Sequence, residues 1–373
     1  MIRKGIYCVC IITMLASCNK TDKKDSEKQP AINPKEMKQI GTVSEYYQSY
    51  NVEMVEVIGG GFWKPYKDMK ALPTAQSVST YNVSEKNPDL YQELKPIDLT
   101  NKRLVNMAKG LGPAYVRVSG TWANSIYFQD NDLPPAPAPK GFANVVTQKQ
   151  WKGVVDFVKN LDNKLITSFA VSNGVRDKNG VWTPVEAQKL LDYTKSLGGK
   201  IDAAELFNEP TMPTAGGDIN PKYDANNFAA DVRVFNKWAK DSVPNMLTVG
   251  PSSVGEGSPT VTLQGVGMTI LPTEALLSAK PEAKFDVFSY HFYGAASIRM
   301  MQSGPFTIKA KDALTEAWLF KTDTVETFYA GMRDKFMPGK PIWITETAQA
   351  AAGGDPYSAT YLDSFRYYTN TDL

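Results

Sequence analysis

The chain has 373 residues, 11% of them aromatic, and carries 41 basic against 39 acidic side chains. This near-neutral balance argues against a nucleic-acid-binding protein or a reader of highly sulfated polymers, because both usually carry a strong positive charge. With one histidine, and with no free cysteine in the mature chain that the N-terminus predicts, a zinc site is not expected, so we expect no metal and no cofactor. The length suits one large domain.

The N-terminus has the pattern of a bacterial lipoprotein signal. Arg3 and Lys4 precede a mostly apolar run over residues 6–15, which is too short to span a bilayer but suits a signal-peptide core. The run ends in Leu-Ala-Ser-Cys at residues 15–18, which resembles a lipobox, so we expect diacylglycerol on Cys18 and removal of residues 1–17. A two-chain anchor is enough for stable attachment. The sequence thus predicts an exported protein anchored in the bacterial cell envelope; a chance cysteine after an ordinary signal core is the alternative.

Residues 18–40 are predicted to be a flexible tether, because they are rich in Lys, Asp, Ser and Pro and contain few apolar side chains. Loss of residues 1–17 would remove Arg3 and Lys4 and no acidic residue, leaving equal numbers of basic and acidic side chains. Cys18 would then be the remaining cysteine, which excludes a disulfide within the mature chain. Residues 41–373 form the predicted folded domain.

Apolar runs alternate with helical patterns after the tether, which indicates an α/β protein built from βαβ units. The sequence predicts a (β/α)8 barrel of the TIM type in which seven strands can be assigned, with the eighth strand absent. A helix is predicted from residue 147, another after the capping-box pattern at residues 183–186, and a last one at about 358–368. The predicted strands are residues 52–58, 114–118, 165–171, 203–207, 246–250, 285–290 and 341–345.

Two of these strands lead into a glutamate. The fourth ends in Asn-Glu-Pro at residues 208–210 and the seventh in Thr-Glu-Thr at residues 345–347. Barrel active sites lie at the carboxyl ends of the strands, so Glu209 and Glu346 should face one pocket. Two carboxyl groups about 5–5.5 Å apart are what a retaining glycoside hydrolase requires. The following proline is expected to keep Glu209 extended, and Asn208 is suited to bind a sugar 2-hydroxyl.

Other polar candidates are weaker. Glu205 and Glu256 are interpreted as carboxylates without a catalytic role. His291 is interpreted as a hydrogen-bonded residue at a strand end, since no Gly-x-Ser-x-Gly motif accompanies it. Trp63 and Trp122 could either stack on a sugar or pack in the core.

Four segments carry a family resemblance. They are residues 110–121 (Gly-Leu-Gly-Pro-Ala-Tyr-Val-Arg-Val-Ser-Gly-Thr), the Asn-Glu-Pro triplet, the His-Phe-Tyr at residues 291–293, and Glu346 with the small residues that lead to Gly-Gly-Asp-Pro at 353–356. Together they resemble heparanase-type enzymes of glycoside hydrolase family 79. The resemblance extends over roughly residues 52–368.

The resemblance implies a retaining β-glucuronidase mechanism acting on an oligo- or polysaccharide. Glu209 would be the acid/base and Glu346 the nucleophile. Tyr293 would bind the nucleophile and Asn208 the substrate, Thr121 would contact the sugar, and Arg117 would lie near the carboxyl pair. The backbone N–H groups of Ala352 and Gly353 would cradle the uronic carboxylate, because small residues let the backbone approach an anion.

The chain also departs from the family pattern. Ala351 and Ala352 replace a tyrosine and a glycine of the cradle, and Ala215 stands where heparanases of the human type carry a lysine. The family's C-terminal β-sandwich, with a carboxylate-binding tyrosine, is not found. These differences leave two alternatives open: a neutral-sugar glycosidase of the same barrel clan, and a non-catalytic glycan-binding lipoprotein.

Overall fold

The computed structural model describes residues 33–69, 88–215, 219–257, 270–299, 312 and 315–354. The chain divides into two compact units, residues 1–44 and 45–373. In the first unit a 3-10 turn, Pro34–Glu36, begins after Asn33, whose side chain accepts a hydrogen bond from the Lys35 N–H. The predicted signal peptide, Cys18 and most of the tether lie outside the described residues. No helix among the described residues is long and apolar enough to cross a membrane.

The second unit is built on a seven-stranded parallel sheet. Its order follows the chain, and each strand pairs in parallel with the next one in the sheet. The strands of this sheet are β1 (Tyr50–Glu53), β4 (Tyr115–Ser119), β7 (Lys164–Ser168), β8 (Ala203–Glu205), β9 (Leu247–Ser253), β10 (Val287–Tyr293) and β11 (Ile342–Ala348). Two short pairs flank it: antiparallel β2 (Gly60–Trp63) with β3 (Tyr91–Leu94), and parallel β5 (Ile126–Gln129) with β6 (Asn144–Thr147).

Helices connect successive strands of the sheet, which is the βαβ pattern predicted from the sequence. The α-helices described are α1 (Met54–Ile58), α2 (Lys102–Gly110), α3 (Gln148–Asn160), α4 (Val185–Ser196), α5 (Ala225–Ser242), α6 (Thr273–Ser278), α7 (Glu316–Leu319) and α8 (Lys321–Phe336). The predicted helix at residues 358–368 lies outside the described residues. The α/β barrel class is confirmed.

Helix α3 shows how the local sequence defines its element. Thr147 and Gln150 form a reciprocal capping box at its start, so two N–H groups that lack helical partners are satisfied. The buried face of the helix is apolar and belongs to the hydrophobic core: Trp151, Val154, Val155, Phe157 and Val158. The capping box predicted for α4 is wrong. The hydroxyl of Thr183 instead donates to the carbonyl of Val175, and Pro184 precedes the helix without a side-chain cap.

All seven predicted strands are present, but the first differs from the prediction. It ends at Glu53, and the apolar residues that follow form helix α1 rather than more strand. Glu56 accepts a hydrogen bond from the Glu53 N–H at 2.9 Å, which helps to start the helix. Periodicity cannot distinguish a short apolar run in a strand from one in a buried helix, because both bury every side chain.

The two edges of the sheet approach one another, so the barrel is nearly closed. The side chain of Asn51 on β1 donates to the carbonyl of Thr345 on β11 at 3.3 Å. The rings of Tyr115 on β4 and Trp343 on β11 lie 5.1 Å apart. Among the described residues, side-chain contacts rather than a backbone ladder therefore join β1 to β11. This closure brings the carboxyl ends of β1, β8 and β11 together around Arg117.

Candidate active site

Glu209 and Glu346 lie at the carboxyl ends of the fourth and seventh strands of the sheet. One oxygen of each carboxyl group and a ring nitrogen of His291 all lie within 4.8 Å of one another. This approach is shorter than the roughly 6.5–9.5 Å that inverting glycosidases need to admit a water molecule. The two carboxyl groups therefore face each other across a short gap.

Arg117 connects the neighbouring strand ends to the carboxyl pair through ion pairs and hydrogen bonds. The guanidinium is 3% exposed and binds Glu346 at 2.8 Å, Glu205 at 2.7 Å and the Asn208 side-chain oxygen at 2.8 Å. Although burial opposes the charge, Glu205 and Glu346 raise the pKa of Arg117, so the group stays cationic. Glu205, interpreted from the sequence as uninvolved, is thus the buried counter-ion that fixes Arg117 beside the nucleophile candidate.

His291 lies between the two carboxyl groups. Its Nδ1 is 2.9 Å from Glu209 and 3.7 Å from Glu346, and its Nε2 is 3.4 Å from a nitrogen of Arg117. An arginine nitrogen can only donate, so Nε2 accepts, and the ring proton resides on Nδ1, from which it is donated to Glu209. His291 can therefore stabilise the ionised form of Glu209 that appears once the acid has given up its proton.

The side chain of Asn124 holds the backbone of Asn208, the residue before Glu209. Asn124 accepts from the Asn208 N–H at 3.0 Å and donates to its carbonyl at 2.9 Å. Glu209 does not have the extended backbone expected before Pro210, because its φ is +58°. This conformation is unfavourable for a non-glycine residue and persists only when surrounding contacts impose it. Strain of this kind is typical of functional positions.

The environment shifts the pKa values of the two carboxyl groups in opposite directions. Burial raises the pKa of Glu209, and the negative charge of Glu346 adds to this effect, although His291 counteracts it. Burial also acts to raise the pKa of Glu346, but His291, Arg117 and the hydroxyl of Tyr293 outweigh it, so the pKa is lowered. Tyr293 donates directly to Glu346. Carboxyl groups whose pKa values are pushed apart in this way suit an acid and a nucleophile.

Glu53 is a further acidic residue of the site, and the sequence did not indicate it. Burial raises its pKa well above the usual range, and the neighbouring charge of Glu346 raises it further. Its carboxyl group lies against Gly120, where there is no room for a side chain. A first strand ending at Glu53 rather than at residue 58 would have placed this acid at a strand end, which is the signal that was missed.

The predicted carboxylate cradle follows β11. Ala352, Gly353 and Gly354 have φ values of +61°, +80° and +76°, a run in the left-handed region that favours glycine. Ala351 pairs with the segment after β10, donating to the Ala295 carbonyl at 2.9 Å and accepting from the Ser297 N–H at 3.0 Å. The loop is therefore an ordered continuation of the sheet.

The remaining residues singled out in the sequence lie nearby but apart from the carboxyl pair. Thr121 begins a short 3-10 helix after β4, and no described contact joins it to Glu209 or Glu346. Trp122 is buried and packs against Phe62, so it belongs to the core. Glu256 binds Thr273 and lies outside this network.

The same geometry shows whether these residues suit a metal ion. Among the residues that the structure describes, Glu209, His291 and Glu346 form one group that could hold an ion. A metal on Nδ1 of His291 would leave the ring proton on Nε2, facing the donor nitrogen of Arg117 at 3.4 Å. The Nε2–H of His291 and an N–H of the Arg117 guanidinium would then face each other with no acceptor between them. The arrangement fits proton transfer better than metal binding.

A parallel barrel with paired carboxyl groups at its fourth and seventh strand ends has the architecture of barrel glycosidases. The family model "Glycosyl hydrolase family 79, N-terminal domain" matches residues 86–370. The chain belongs to this family.

Curated relatives and a solved structure also show similarity to this chain. Heparanase from Mus musculus is 23% identical over 326 residues, covering 74% of this chain and 56% of that protein. Hyaluronoglucuronidase from Hirudo nipponia is 26% identical over 169 residues, covering 38% and 34%. A family 51 arabinofuranosidase structure from Xanthomonas axonopodis pv. citri aligns with a TM-score of 0.42 at 16% identity, covering 78% and 54%. The chain spans about half the length, or less, of the curated relatives it matches.

Proposed function

We propose that this chain is the catalytic barrel of a retaining β-glycoside hydrolase that acts on uronic-acid-containing glycans. The observation that carries the proposal is the pair Glu209 and Glu346, which lie close together with pKa values shifted in opposite directions. A glycan-binding protein without activity has no need of such a pair.

The reaction would proceed by double displacement. Glu346 attacks the anomeric carbon and forms a glycosyl ester while the bond to the leaving oxygen breaks, and Glu209 gives its proton to that oxygen. Glu209, now ionised and stabilised by His291, then removes a proton from water. The water oxygen attacks the anomeric carbon, the ester bond breaks, and the Glu346 carboxylate is restored.

Asn208 supplies a donor for the sugar. Its side-chain oxygen accepts from Arg117, while its Nδ2 is buried and has no partner among the described residues. A buried donor without a partner is costly, so a ligand oxygen at this position would be favourable. A hydrogen bond to the sugar 2-hydroxyl that strengthens in the transition state is the contact expected there.

The uronic-acid preference rests on the left-handed loop at residues 352–354. Successive backbone N–H groups in a small-residue loop can approach an anion closely. The experiment is to compare turnover of an aryl β-glucuronide with that of the matching aryl β-glucoside. Higher kcat/KM for the glucuronide supports the proposal, preference for the glucoside contradicts the uronate assignment alone, and no hydrolysis of either contradicts the enzyme assignment.

The dependence of activity on pH should be bell-shaped. Because the pKa of Glu346 is lowered, the nucleophile should lose its charge only at pH values below the usual carboxyl range. Because the pKa of Glu209 is raised, the acid should keep its proton above that range and lose it as pH rises further. The measurement is kcat/KM against pH for an aryl β-glucuronide. The alkaline limb should vanish in Glu209→Ala assayed with a dinitrophenyl leaving group; its persistence there would contradict the assignment.

We also propose that Cys18 is the first mature residue and carries the lipid that anchors the protein in the bacterial cell envelope. Cys18→Ala should release the protein from the membrane fraction or leave it unprocessed, since the lipobox then has no thiol for acylation. Cys10→Ala, within the apolar signal core, is the matched control and should leave anchoring unchanged. Mass spectrometry of the membrane-extracted N-terminus decides the matter: an unmodified Cys18 or an intact Met1 would refute the proposal.

A further inference from the structure

The loop at residues 352–354 is held through its carbonyl oxygens by Arg299. The Arg299 side chain is 3% exposed and donates to the carbonyl oxygens of Gly353 at 2.7 Å and Gly354 at 3.2 Å. Its other terminal nitrogen donates to the carbonyl of Lys64 at 2.7 Å. One guanidinium therefore joins the loop after β11 to the segment after β2.

Tyr66 makes a second connection between the same two segments. Its hydroxyl donates to the Gly354 carbonyl at 2.8 Å and lies 2.6 Å from the Ser297 hydroxyl. Since the single Tyr66 proton goes to Gly354, the Ser297 hydroxyl must donate to Tyr66. The backbone N–H of Arg299 donates in turn to the Ser297 hydroxyl at 3.1 Å. The Arg299 guanidinium lies 3.8 Å from the Tyr66 ring centroid. The hydrogen bonds thus form one directed chain that ends on the loop.

The Arg299 contact determines where one loop N–H group points, that of Gly354. In a trans peptide the C=O and the following N–H point in opposite directions, so holding the Gly353 carbonyl also orients the Gly354 N–H away from Arg299. Trp63 supports the loop from one side, because a Cβ at Gly353 would lie 2.5 Å from its ring. The loop consequently has little freedom to turn its amides elsewhere.

We propose that Arg299, assisted by Tyr66, is a positioning residue that holds the loop at residues 352–354, and with it the Gly354 N–H, in the geometry needed to bind a carboxylate of the substrate. The inference rests on the proposed function, because it concerns how the uronide-binding part of that site is organised. Arg299 does not touch the sugar; it acts through the loop carbonyls. Its effect should therefore fall on uronide selectivity rather than on cleavage itself.

The test compares Arg299→Met with the wild-type full-length chain on an aryl β-glucuronide and the matching aryl β-glucoside. We expect kcat/KM for the glucuronide to fall by about 10²-fold, mainly through KM, since small displacements of binding groups have effects of this size. The glucoside should change by less than about 3-fold, because its neutral sugar does not use the cradle. Tyr66→Phe removes one donor to Gly354 and should lower glucuronide kcat/KM by about 3- to 10-fold. Arg299→Lys, which keeps a donor, should recover part of the loss.

Arg333→Met is the matched control. Arg333 also donates to a backbone carbonyl, that of Lys340 at 2.7 Å, but at the opposite end of β11. Its removal should leave the glucuronide-to-glucoside ratio unchanged. An unchanged ratio in Arg299→Met and Tyr66→Phe, with thermal melts like the control, would overturn the inference.

Hydrogen exchange of the peptide containing residues 350–354 separates this inference from the proposed function. Exchange should be faster in Arg299→Met and Tyr66→Phe than in the wild type, whether or not the protein cleaves glycosides. If the wild type hydrolyses neither substrate, the proposed function fails. Hydrogen exchange then still tests whether Arg299 holds the loop at residues 352–354. Unchanged exchange in both variants would then show that Arg299 does not hold the loop.

Discussion

Glu346→Gln should abolish hydrolysis of an aryl β-glycoside, with kcat falling roughly 10⁴- to 10⁶-fold, as expected when a covalent nucleophile is lost. Glutamine has nearly the same shape, and its oxygen can still accept from Arg117 or Tyr293, but it cannot form the glycosyl ester. No leaving group should rescue the variant, because nucleophilic attack is required for every substrate. The measurement is steady-state turnover with both a poor and a good leaving group.

Glu256→Gln is the control for this experiment. Glu256 is also largely buried with a raised pKa, yet it binds Thr273 rather than the carboxyl pair. Its substitution should leave kcat within about 2-fold of the wild type, because Glu256 contacts neither carboxyl group of the pair. Near-wild-type turnover by Glu346→Gln, in a protein that melts cooperatively, would remove Glu346 from the mechanism.

Glu209→Ala should show a loss that depends on the leaving group. With a poor leaving group kcat/KM should fall by about 10²- to 10⁴-fold, the usual contribution of a general acid. A dinitrophenyl glycoside needs no protonation, so its glycosyl-enzyme should still form and then accumulate without a base to activate water. Azide, which needs no deprotonation, should restore turnover and give the β-glycosyl azide, detectable by NMR.

Glu209→Gln is the companion variant, because it keeps a side chain that can contact His291 while removing the transferable proton. It should behave like Glu209→Ala with both leaving groups. An α-configured azide product, or azide rescue of Glu346→Gln in place of Glu209→Ala, would mean that the two roles are exchanged.

The local sequence was sufficient to predict most of the architecture and the central pair. Buried parallel strands are short apolar runs, and the seven predicted ones all occur. The glutamates that follow two of these runs could be assigned to one end of the barrel, since parallel strands bring their carboxyl ends to the same side. Helix α3 could also be predicted, because its capping residues and its apolar face lie within one short stretch of sequence. The lipid anchor at Cys18 and the tether remain predictions from sequence.

The arrangement of the other side chains around the pair could be known only from the tertiary structure. Glu53, Glu205 and His291 are far apart in the chain, and only the register of the sheet places them around Arg117 and the carboxyl pair. The change from strand to helix after Glu53 and the left-handed backbone of Glu209 likewise depend on packing that overrides local preference. The opposite pKa shifts of Glu209 and Glu346 have the same origin. A pKa reflects burial and nearby charge, and neither exists until the barrel brings these residues together.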